Sequence, residues 1–428
     1  MGEVGVARWP RWIDRDLCAR LADWLAVALV VSLPWWTTAT SVLLVLWLIV
    51  VVPTIDFAGW RSVILTPAGG IPVLLWALAV VGVLWAIDVS LHERLEGLKS
   101  FLRFLFIPLL IVQFRRSERA AWVMNGFLIS CGVMLVLSWA LVVKPDLPWP
   151  WIGRGGRPGI PVKDYIAQST EFTVCVLLLA AIALKSWRER RHGLAIALAI
   201  TALLFLTNIL WVSASRTSLV IIPILIVLFA CKQLPWKSTF GLPLAAVIVG
   251  GLAWWSGPYV KTNITEVLTE MRDFEPEGVR TRAGERLEFW RKSIGFIAEA
   301  PLMGHGTGSI RDQFRRSVAG QSGMASLAAE NPHNQTFAVA IQLGLLGTAA
   351  LFAMWIAHAL LFRGEGLAAW AGLVIVTQNI VGSLFNSHLF DFTQGWGYVI
   401  GVGVAAGVVL KQRAAPAAAS VSGTPRPG

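Results

Sequence analysis

Charged side chains are scarce in this chain. Only 14% of its residues are Asp, Glu, Lys or Arg, whereas 56% are hydrophobic. A soluble domain cannot bury that much apolar surface, so this composition excludes an ordinary water-soluble protein. Cysteine is scarce as well. The cysteines lie in or beside apolar runs, lack the spacing of a metal site and are expected to be free thiols: Cys18, Cys131, Cys175 and Cys231.

Motifs for nucleotide and metal chemistry are also missing. The chain has no GxxxxGK[ST] phosphate loop, no HExxH helix and no paired-aspartate motif placed to hold a divalent ion. We therefore expect neither a metal nor a cofactor. The net charge of +11 would suggest nucleic acid in a soluble protein. In a membrane protein it indicates cytoplasmic anchoring, with basic residues left for an anionic ligand, so no nucleic-acid partner is expected.

Apolar runs recur from one end of the chain to the other, near the length of about 17–25 residues that spans a bilayer. They predict an all-α fold, a polytopic integral membrane bundle of about twelve helices. The predicted spans are 21–34, 38–53, 71–88, 100–113, 121–143, 166–185, 193–212, 214–231, 240–256, 334–361, 367–385 and 393–411. The predicted domains are spans 1–9 within 1–256, a large loop at 257–332, spans 10–12 within 333–411 and a disordered cytoplasmic tail at 412–428.

Lysine and arginine in the short loops set the predicted orientation. With the N-terminus inside, basic residues cluster in cytoplasmic segments, and loop 257–332 falls in the periplasm. The short outside loop 144–165 breaks this rule with its own basic residues, among them Arg154 and Arg157. An anionic ligand would explain the excess, as would an error in a span boundary. Glycines beside both arginines would let the backbone approach a ligand closely.

The large loop is predicted to be a folded, helical cap. Leu287, Trp290, Ile294 and Ile297 recur at helical spacing and predict an amphipathic helix over 280–297. A glycine turn follows at 304–308, and a second short helix is predicted at 309–318.

One histidine, His333, stands directly before a long apolar run, in the segment ENPHNQ. Asn331 is a good N-cap and Pro332 suits the first helical position, which predicts His333 in the first turn. The helix dipole disfavours positive charge there, so the ring is expected to be neutral, as a general base must be. A structural role is the alternative interpretation. His305, in the glycine turn, is a second candidate base, and His388 and Asp391 are weaker candidates.

Two arginines are candidate ligands for an anion. Arg216 lies in the short polar link SASRTS between two predicted spans. Snorkelling to lipid phosphate would explain it, whereas the flanking hydroxyls favour a small anion pocket. Arg286 lies on the predicted loop helix. It either pairs with Glu285 or nearby acids at the surface, or presents a guanidinium fork to a phosphate.

These segments together resemble a known family. The stretch PLMGHGTG at 301–308, His333-Asn334-Gln335, LGLLG at 343–347 and the SRT segment at Arg216 are similar to the Wzy-C region. O-antigen ligases, O-antigen polymerases and some protein O-oligosaccharyltransferases share that region. The single dominant outside loop late in the chain resembles the O-antigen ligases most, since polymerases often carry two sizeable outside loops and the protein-targeting members are usually longer.

The resemblance implies a GT-C-like glycosyltransferase of the bacterial inner membrane. The implied donor is undecaprenyl-diphosphate-linked O-antigen, the acceptor is a sugar hydroxyl of lipid A–core, and the transfer is inverting and metal-independent. By this analogy the catalytic residues are His333, Arg216 and Arg286, and the substrate-binding candidates are Arg154, Arg157, Asn334 and His305. A transporter or flippase for a lipid-linked sugar is the alternative from another class. It needs spans and basic residues, but neither a base at a helix mouth nor a large outside cap.

Overall fold

The structure, a computed structural model, describes residues 14–149, 158–235, 251, 254–255, 258–272, 281–321 and 323–421. These residues form helices joined by loops, with no strand among them, as the all-α prediction requires. The main helices, numbered in chain order, are α1 (Arg15–Ser32), α2 (Thr37–Val51), α3 (Phe57–Ile64), α4 (Pro67–Gly82), α5 (Leu91–Leu102), α6 (Phe106–Phe114), α7 (Ala120–Val143), α8 (Tyr165–Arg188), α9 (His192–Asn208), α10 (Arg216–Gln233), α11 (Pro258–Arg272), α12 (Arg282–Glu299), α13 (Ile310–Ser317), α14 (Gln335–Leu361), α15 (Leu367–Gly382) and α16 (Phe392–Val421).

Seven helices in the described part of the chain are long and apolar enough to cross a bilayer, namely α2, α7, α8, α9, α10, α14 and α16 with their short extensions. Helices α3 and α4 meet at 85° and add an eighth span if the bent pair crosses as one. The chain is therefore a multi-pass helical membrane protein. The predicted number of about twelve spans is not confirmed. Helix α1 is not counted as a span because its first half carries several charged residues. A short helical turn separates α5 from α6, so they do not form one long helix. Most of the predicted span 240–256 lies outside the described residues.

Polar side chains tie neighbouring helices together inside the apolar bundle. Asn208 Nδ2 donates to the Ser138 hydroxyl at 2.8 Å, and Gln168 Nε2 donates to Asn208 Oδ1 at 3.0 Å. The three side chains are buried and come from α7, α8 and α9. Hydrogen bonds of this kind hold membrane helices in register, because lipid offers the same groups no partner.

Helices α11, α12 and α13 form a cap over one end of the bundle. Phe289 and Phe296 of α12 pack on Phe314 of α13 and on Ile341 of α14. Helices α12 and α13 lie where the sequence predicts them, whereas α11 was not predicted. The predicted apolar face of α12 is partly wrong, because Ile294 is 58% exposed. Phe289 and Phe296, two helical turns apart, face the bundle instead.

The glycine turn 304–308 fills a break in α14. The helix is interrupted at Gly344, whose φ is 59°. The backbone N–H groups of His305 and Gly306 donate to carbonyls of the broken segment at 2.8 and 2.9 Å. Gly306 has a φ of 90°, and a Cβ built there would lie 2.5 Å from the Cβ of Ala86. Glycine is needed here for its backbone conformation and its lack of a side chain. The glycine turn thus has a packing role in this fold.

The last helix continues past the predicted end of the bundle. Helix α16 runs to Val421 and so includes residues 412–421 of the predicted disordered tail, which stays a prediction. The run is rich in alanine, which has the highest helix propensity. Residues 422–428 lie outside the described part.

The orientation of the bundle stays a prediction that cysteine labelling can test. Ala319 is exposed on the cap, and the native Cys231 is exposed near the far end of α10. We expect a membrane-impermeant maleimide to label an Ala319→Cys protein at position 319 in intact cells, because the cap is predicted to be periplasmic. Cys231 should react only after permeabilisation. Labelling of Cys231 but not of position 319 in intact cells would show that the bundle has the opposite orientation.

Candidate active site

His333 lies in the loop before α14, not in its first turn. Asn334 is the N-cap, and its side-chain oxygen accepts the next free backbone N–H groups at 2.9 and 3.2 Å. The prediction that Asn331 caps the helix with Pro332 at its first position is therefore wrong. Two good capping residues compete here, and Asn331 instead accepts the backbone N–H of His333 at 2.9 Å, closing a tight turn.

The backbone of His333 adopts the left-handed conformation, with a φ of 52°. Few residues other than glycine do so, although histidine, asparagine and aspartate are enriched among those that do. Such strained positions persist where the surrounding structure fixes them, and they cluster at functional sites. The conformation is held by the turn at Asn331 and by the contacts of the ring.

A hydrogen-bonded relay orients the His333 ring. Its Nδ1 lies 2.8 Å from Asn386 Oδ1, and Asn386 Nδ2 donates to Asp391 Oδ2 at 2.7 Å. When Asp391 is ionised its carboxylate only accepts, so the amide nitrogen of Asn386 faces Asp391 and its oxygen faces His333. Nδ1 therefore carries the hydrogen of the neutral ring, and Nε2 holds the lone pair that a general base needs.

The loop that carries Asn386 and Asp391, here called the 386–391 loop, is held rigidly. The buried guanidinium of Arg103 donates to three of its carbonyls, those of residues 389, 390 and 391, at 2.8, 3.1 and 2.6 Å. Ser387 donates to Asn331 Oδ1 at 2.6 Å. Because Asn331 Oδ1 also accepts the backbone N–H of His333, this side chain connects the His333 turn to the 386–391 loop.

Helix α12 covers the ring from the cap side. The Phe289 ring stacks on His333 with centroids 6.1 Å apart and planes inclined by 21°. Arg286 lies about one helical turn earlier on α12 and is close enough to act electrostatically on both His333 and His388. The structure thus brings together two of the three predicted catalytic residues, His333 and Arg286.

Burial and positive charge both favour the neutral ring. Burial lowers the pKa of His333 below 6.5, its hydrogen bond to Asn386 acts in the opposite direction, and the Arg286 guanidinium lowers the pKa further. Neutrality was expected from the helix dipole and nearby arginines, yet burial is the largest cause. Burial likewise lowers the pKa of His388 to about 4 and raises the pKa of Asp391 to about 7.

Arg216 is held by the cap. Its guanidinium lies 2.8 Å from Glu266 Oε2 and 3.7 Å from Glu270 Oε2, both on α11. Glu270 also accepts the backbone N–H of Ala283 at 2.7 Å, in the first turn of α12. Arg216 is thereby linked through one carboxylate to the helix that carries Arg286. The hydroxyls predicted to line an anion pocket beside it are buried, and Ser215 bonds to Ser169 and Ser218 at 2.9 and 2.8 Å.

The predicted substrate-binding residues have other surroundings. Asn334 uses its oxygen as the helix cap, and its amide nitrogen donates to the Leu384 carbonyl at 3.2 Å. His305 Nε2 lies 2.7 Å from the Phe296 carbonyl, within the packed glycine turn. Neither contact indicates a ligand. Arg154 and Arg157 lie outside the described residues.

A cleft of about 240 Å³ adjoins the site. Asn331 lines one of its walls, and its charged lining residues are Glu93, Glu96, Arg311 and Glu330. Carboxylates and guanidinium groups are suitable partners for sugar hydroxyls, which both donate and accept hydrogen bonds.

Sequence reasoning missed Asn386 and ranked Asp391 low. The available signal was the polar cluster Asn386-Ser387-His388 with Asp391, set between two apolar runs. Phe289 lies on the predicted loop helix and is not among the predicted site residues.

The fold and the site together define a multi-pass membrane protein that holds a neutral histidine and an arginine under a helical cap. Residues 201–352 match the family model Wzy_C, described as O-antigen ligase. The matched range contains His333, Arg216 and Arg286, whereas the 386–391 loop lies beyond it. Among curated proteins, none matches the chain.

Proposed function

We propose that the protein is an O-antigen ligase of the bacterial inner membrane, with its site facing the periplasm. It transfers O-antigen from undecaprenyl diphosphate to a sugar hydroxyl of lipid A–core. The observation that carries this proposal is the neutral His333, held by Asn386 and Asp391 with its Nε2 lone pair available, next to Arg286 at the capped end of the bundle. A flippase needs no such base.

The proposed reaction is a direct displacement at the anomeric carbon of the donor. The acceptor hydroxyl oxygen attacks that carbon while His333 Nε2 takes the hydroxyl proton. The bond from the anomeric carbon to the diphosphate oxygen breaks, and undecaprenyl diphosphate leaves with the bonding electrons. Arg286 stabilises the charge that develops on the leaving oxygen. The new glycosidic bond forms on the opposite face, so the configuration inverts.

Arg216 has a place in this proposal, although it is paired with glutamates in the structure. Its partners Glu266 and Glu270 belong to the cap, so a diphosphate that bound Arg216 would exchange one set of anionic partners for another. The exchange would loosen α11 and, through Glu270, the start of α12. Arg154 and Arg157 are proposed as further ligands of the diphosphate on the strength of their charge alone.

The proposal is tested by the product of a reconstituted reaction. Purified protein in lipid nanodiscs is supplied with undecaprenyl-diphosphate-linked O-antigen and with lipid A–core. We expect O-antigen joined covalently to lipid A–core, seen by gel shift and mass spectrometry. Lengthening of the lipid-linked glycan alone would identify a polymerase, transfer to a protein would identify a protein O-oligosaccharyltransferase, and movement without bond formation would identify a flippase.

We expect the transfer to survive removal of divalent ions. Within the described ranges, no group of three or more His, Cys, Asp or Glu side chains is placed to hold a metal ion, whereas arginines are present for the diphosphate. The measurement compares initial rates of transfer in EDTA and in excess Mg²⁺. Activity that stops in EDTA and returns only with a divalent ion would refute the metal-free mechanism.

A further inference from the structure

A large cavity runs through the bundle beside the 386–391 loop. It has a volume of about 490 Å³, and its walls come from α1, α7, α8, α15 and α16. Its lining is almost wholly apolar and includes Val30, Met124, Phe127, Val174, Ala371 and Val404. Along α8 the lining residues extend from Thr170 to Lys185. That is about 22 Å at the helical rise, compared with about 30 Å for the hydrocarbon thickness of a bilayer. Such a shape suits a hydrocarbon chain.

One end of this cavity is polar. Glu171, Gln378 and His388 all line it and are 5%, 4% and 1% exposed. In the described part of the chain, Glu171 Oε1, Gln378 Oε1 and His388 Nε2 have no hydrogen-bond partner. Gln378 Nε2 donates to the Thr170 carbonyl at 2.8 Å, which fixes the amide so that its oxygen is the unpaired atom. Buried polar atoms without partners are rare and costly, so several at one end of one cavity point to a ligand.

The polar end adjoins the candidate active site. His388 lies on the 386–391 loop, two residues after the Asn386 that orients His333. A molecule with a chain in the cavity would therefore bring its head group towards His333. The unpaired oxygens of Glu171 and Gln378 can accept hydrogen bonds, so they favour a ligand with hydroxyl or amide N–H donors. A diphosphate is disfavoured there because its oxygens are themselves acceptors. Of the candidate cations for a diphosphate, Arg286 lies on the cap helix α12, and Arg216 is paired with the cap helix α11.

We infer that this cavity binds an acyl chain of the acceptor, a glycolipid whose hydroxyl and amide groups donate to Glu171, Gln378 and His388. The inference rests on the proposed function. It adds that the acceptor and the donor bind at separate sites. The acceptor chain lies within the bundle, whereas the donor diphosphate lies under the cap. The cavity would then hold the acceptor sugar in register with His333.

Filling the cavity tests this inference. Ala371→Phe places a bulky ring in its wall, and Ala199→Phe makes the same change on the exposed face of α9 as the matched control. The assay measures KM for lipid A–core, for the deacylated core oligosaccharide and for the donor. We expect Ala371→Phe to raise KM for lipid A–core at least about tenfold, the effect of excluding roughly two methylenes. The KM values for the donor and the deacylated core should stay within about twofold, and Ala199→Phe should change none of them.

A second variant and the wild type separate the outcomes. Val174→Phe fills the cavity from α8 and should reproduce the effect if Ala371→Phe does not fold. A raised KM for the donor instead would assign the cavity to the polyprenyl chain and overturn the inference. So would unchanged KM values in both folded variants, or a wild type that uses acylated and deacylated acceptors equally well. A wild type that transfers to neither acceptor would instead refute the proposed function.

Discussion

A His333→Asn enzyme is expected to lose about 10²–10⁴-fold in turnover, the usual contribution of a general base. Asparagine is the sharpest substitution because it tolerates the left-handed backbone that His333 adopts, with its φ of 52°. Its Nδ2 can occupy the place of the histidine Nδ1 and still donate to Asn386. Only the basic Nε2 is lost. Single-turnover transfer with saturating donor and acceptor measures the effect.

Two further variants control for folding. His333→Ala removes the base but also puts alanine in a left-handed conformation, which costs about 1–2 kcal/mol. His305→Ala removes a ring whose Nε2 contacts the Phe296 carbonyl, and we expect a much smaller loss of turnover. Near-normal turnover of a folded His333→Asn enzyme that still binds the donor would end the base hypothesis and leave His333 a structural residue.

Arg286→Ala is expected to lower the rate of transfer by about 10²–10³-fold, as removal of a preorganised group that stabilises developing charge does. Arg286→Lys should recover only part of the loss, because lysine keeps the charge but not the planar fork. Arg286→Ala should also raise the pKa of His333, since the positive charge of Arg286 lowers it. Initial rates and an NMR titration of the histidine measure the two effects.

The matched control for Arg286 is Arg316→Ala on α13. Arg316 is about half exposed and pairs with Asp88 and Asp312 at the surface. Exposed ion pairs contribute little, so activity should stay within about twofold. Arg216→Ala should also lower activity greatly, but it removes the ion pairs to Glu266 and Glu270 and so loosens the cap as well. Equal activities of the Arg286→Ala and Arg316→Ala enzymes would refute the role of Arg286.

Local patterns predicted much of the fold and part of the site. Long apolar runs marked α14 and α8 to within a few residues, because both length and hydropathy are local properties. The segment around His333 marked a residue that the structure places in the candidate site, whereas the predicted helix cap, Asn331, is three residues before the observed one, Asn334. Each satisfies the same rule, and only the packed structure decides between them.

Contacts between distant segments could not be predicted. Asn386 meets His333 across 53 residues of sequence, and Glu266 meets Arg216 across 50. No local pattern in either segment identifies its contact partner, because each contact depends on how the helices pack. Hence the sequence predicts neither the relay to Asp391 nor the hydrogen bonds of Ser215, beside Arg216, to Ser169 and Ser218.

The pH dependence of kcat/KM for transfer tests most directly whether neutral His333 is the general base. Burial and Arg286 lower the pKa of His333 below 6.5, so kcat/KM should be constant at neutral pH and fall as the pH drops through that lowered pKa. Asp391, whose pKa is about 7, also titrates near this range. The profile is therefore measured in an Asp391→Asn enzyme too, because asparagine can still accept from Asn386. We expect the acidic limb in both enzymes, whereas a flat profile, or a limb that disappears in Asp391→Asn, would contradict the claim.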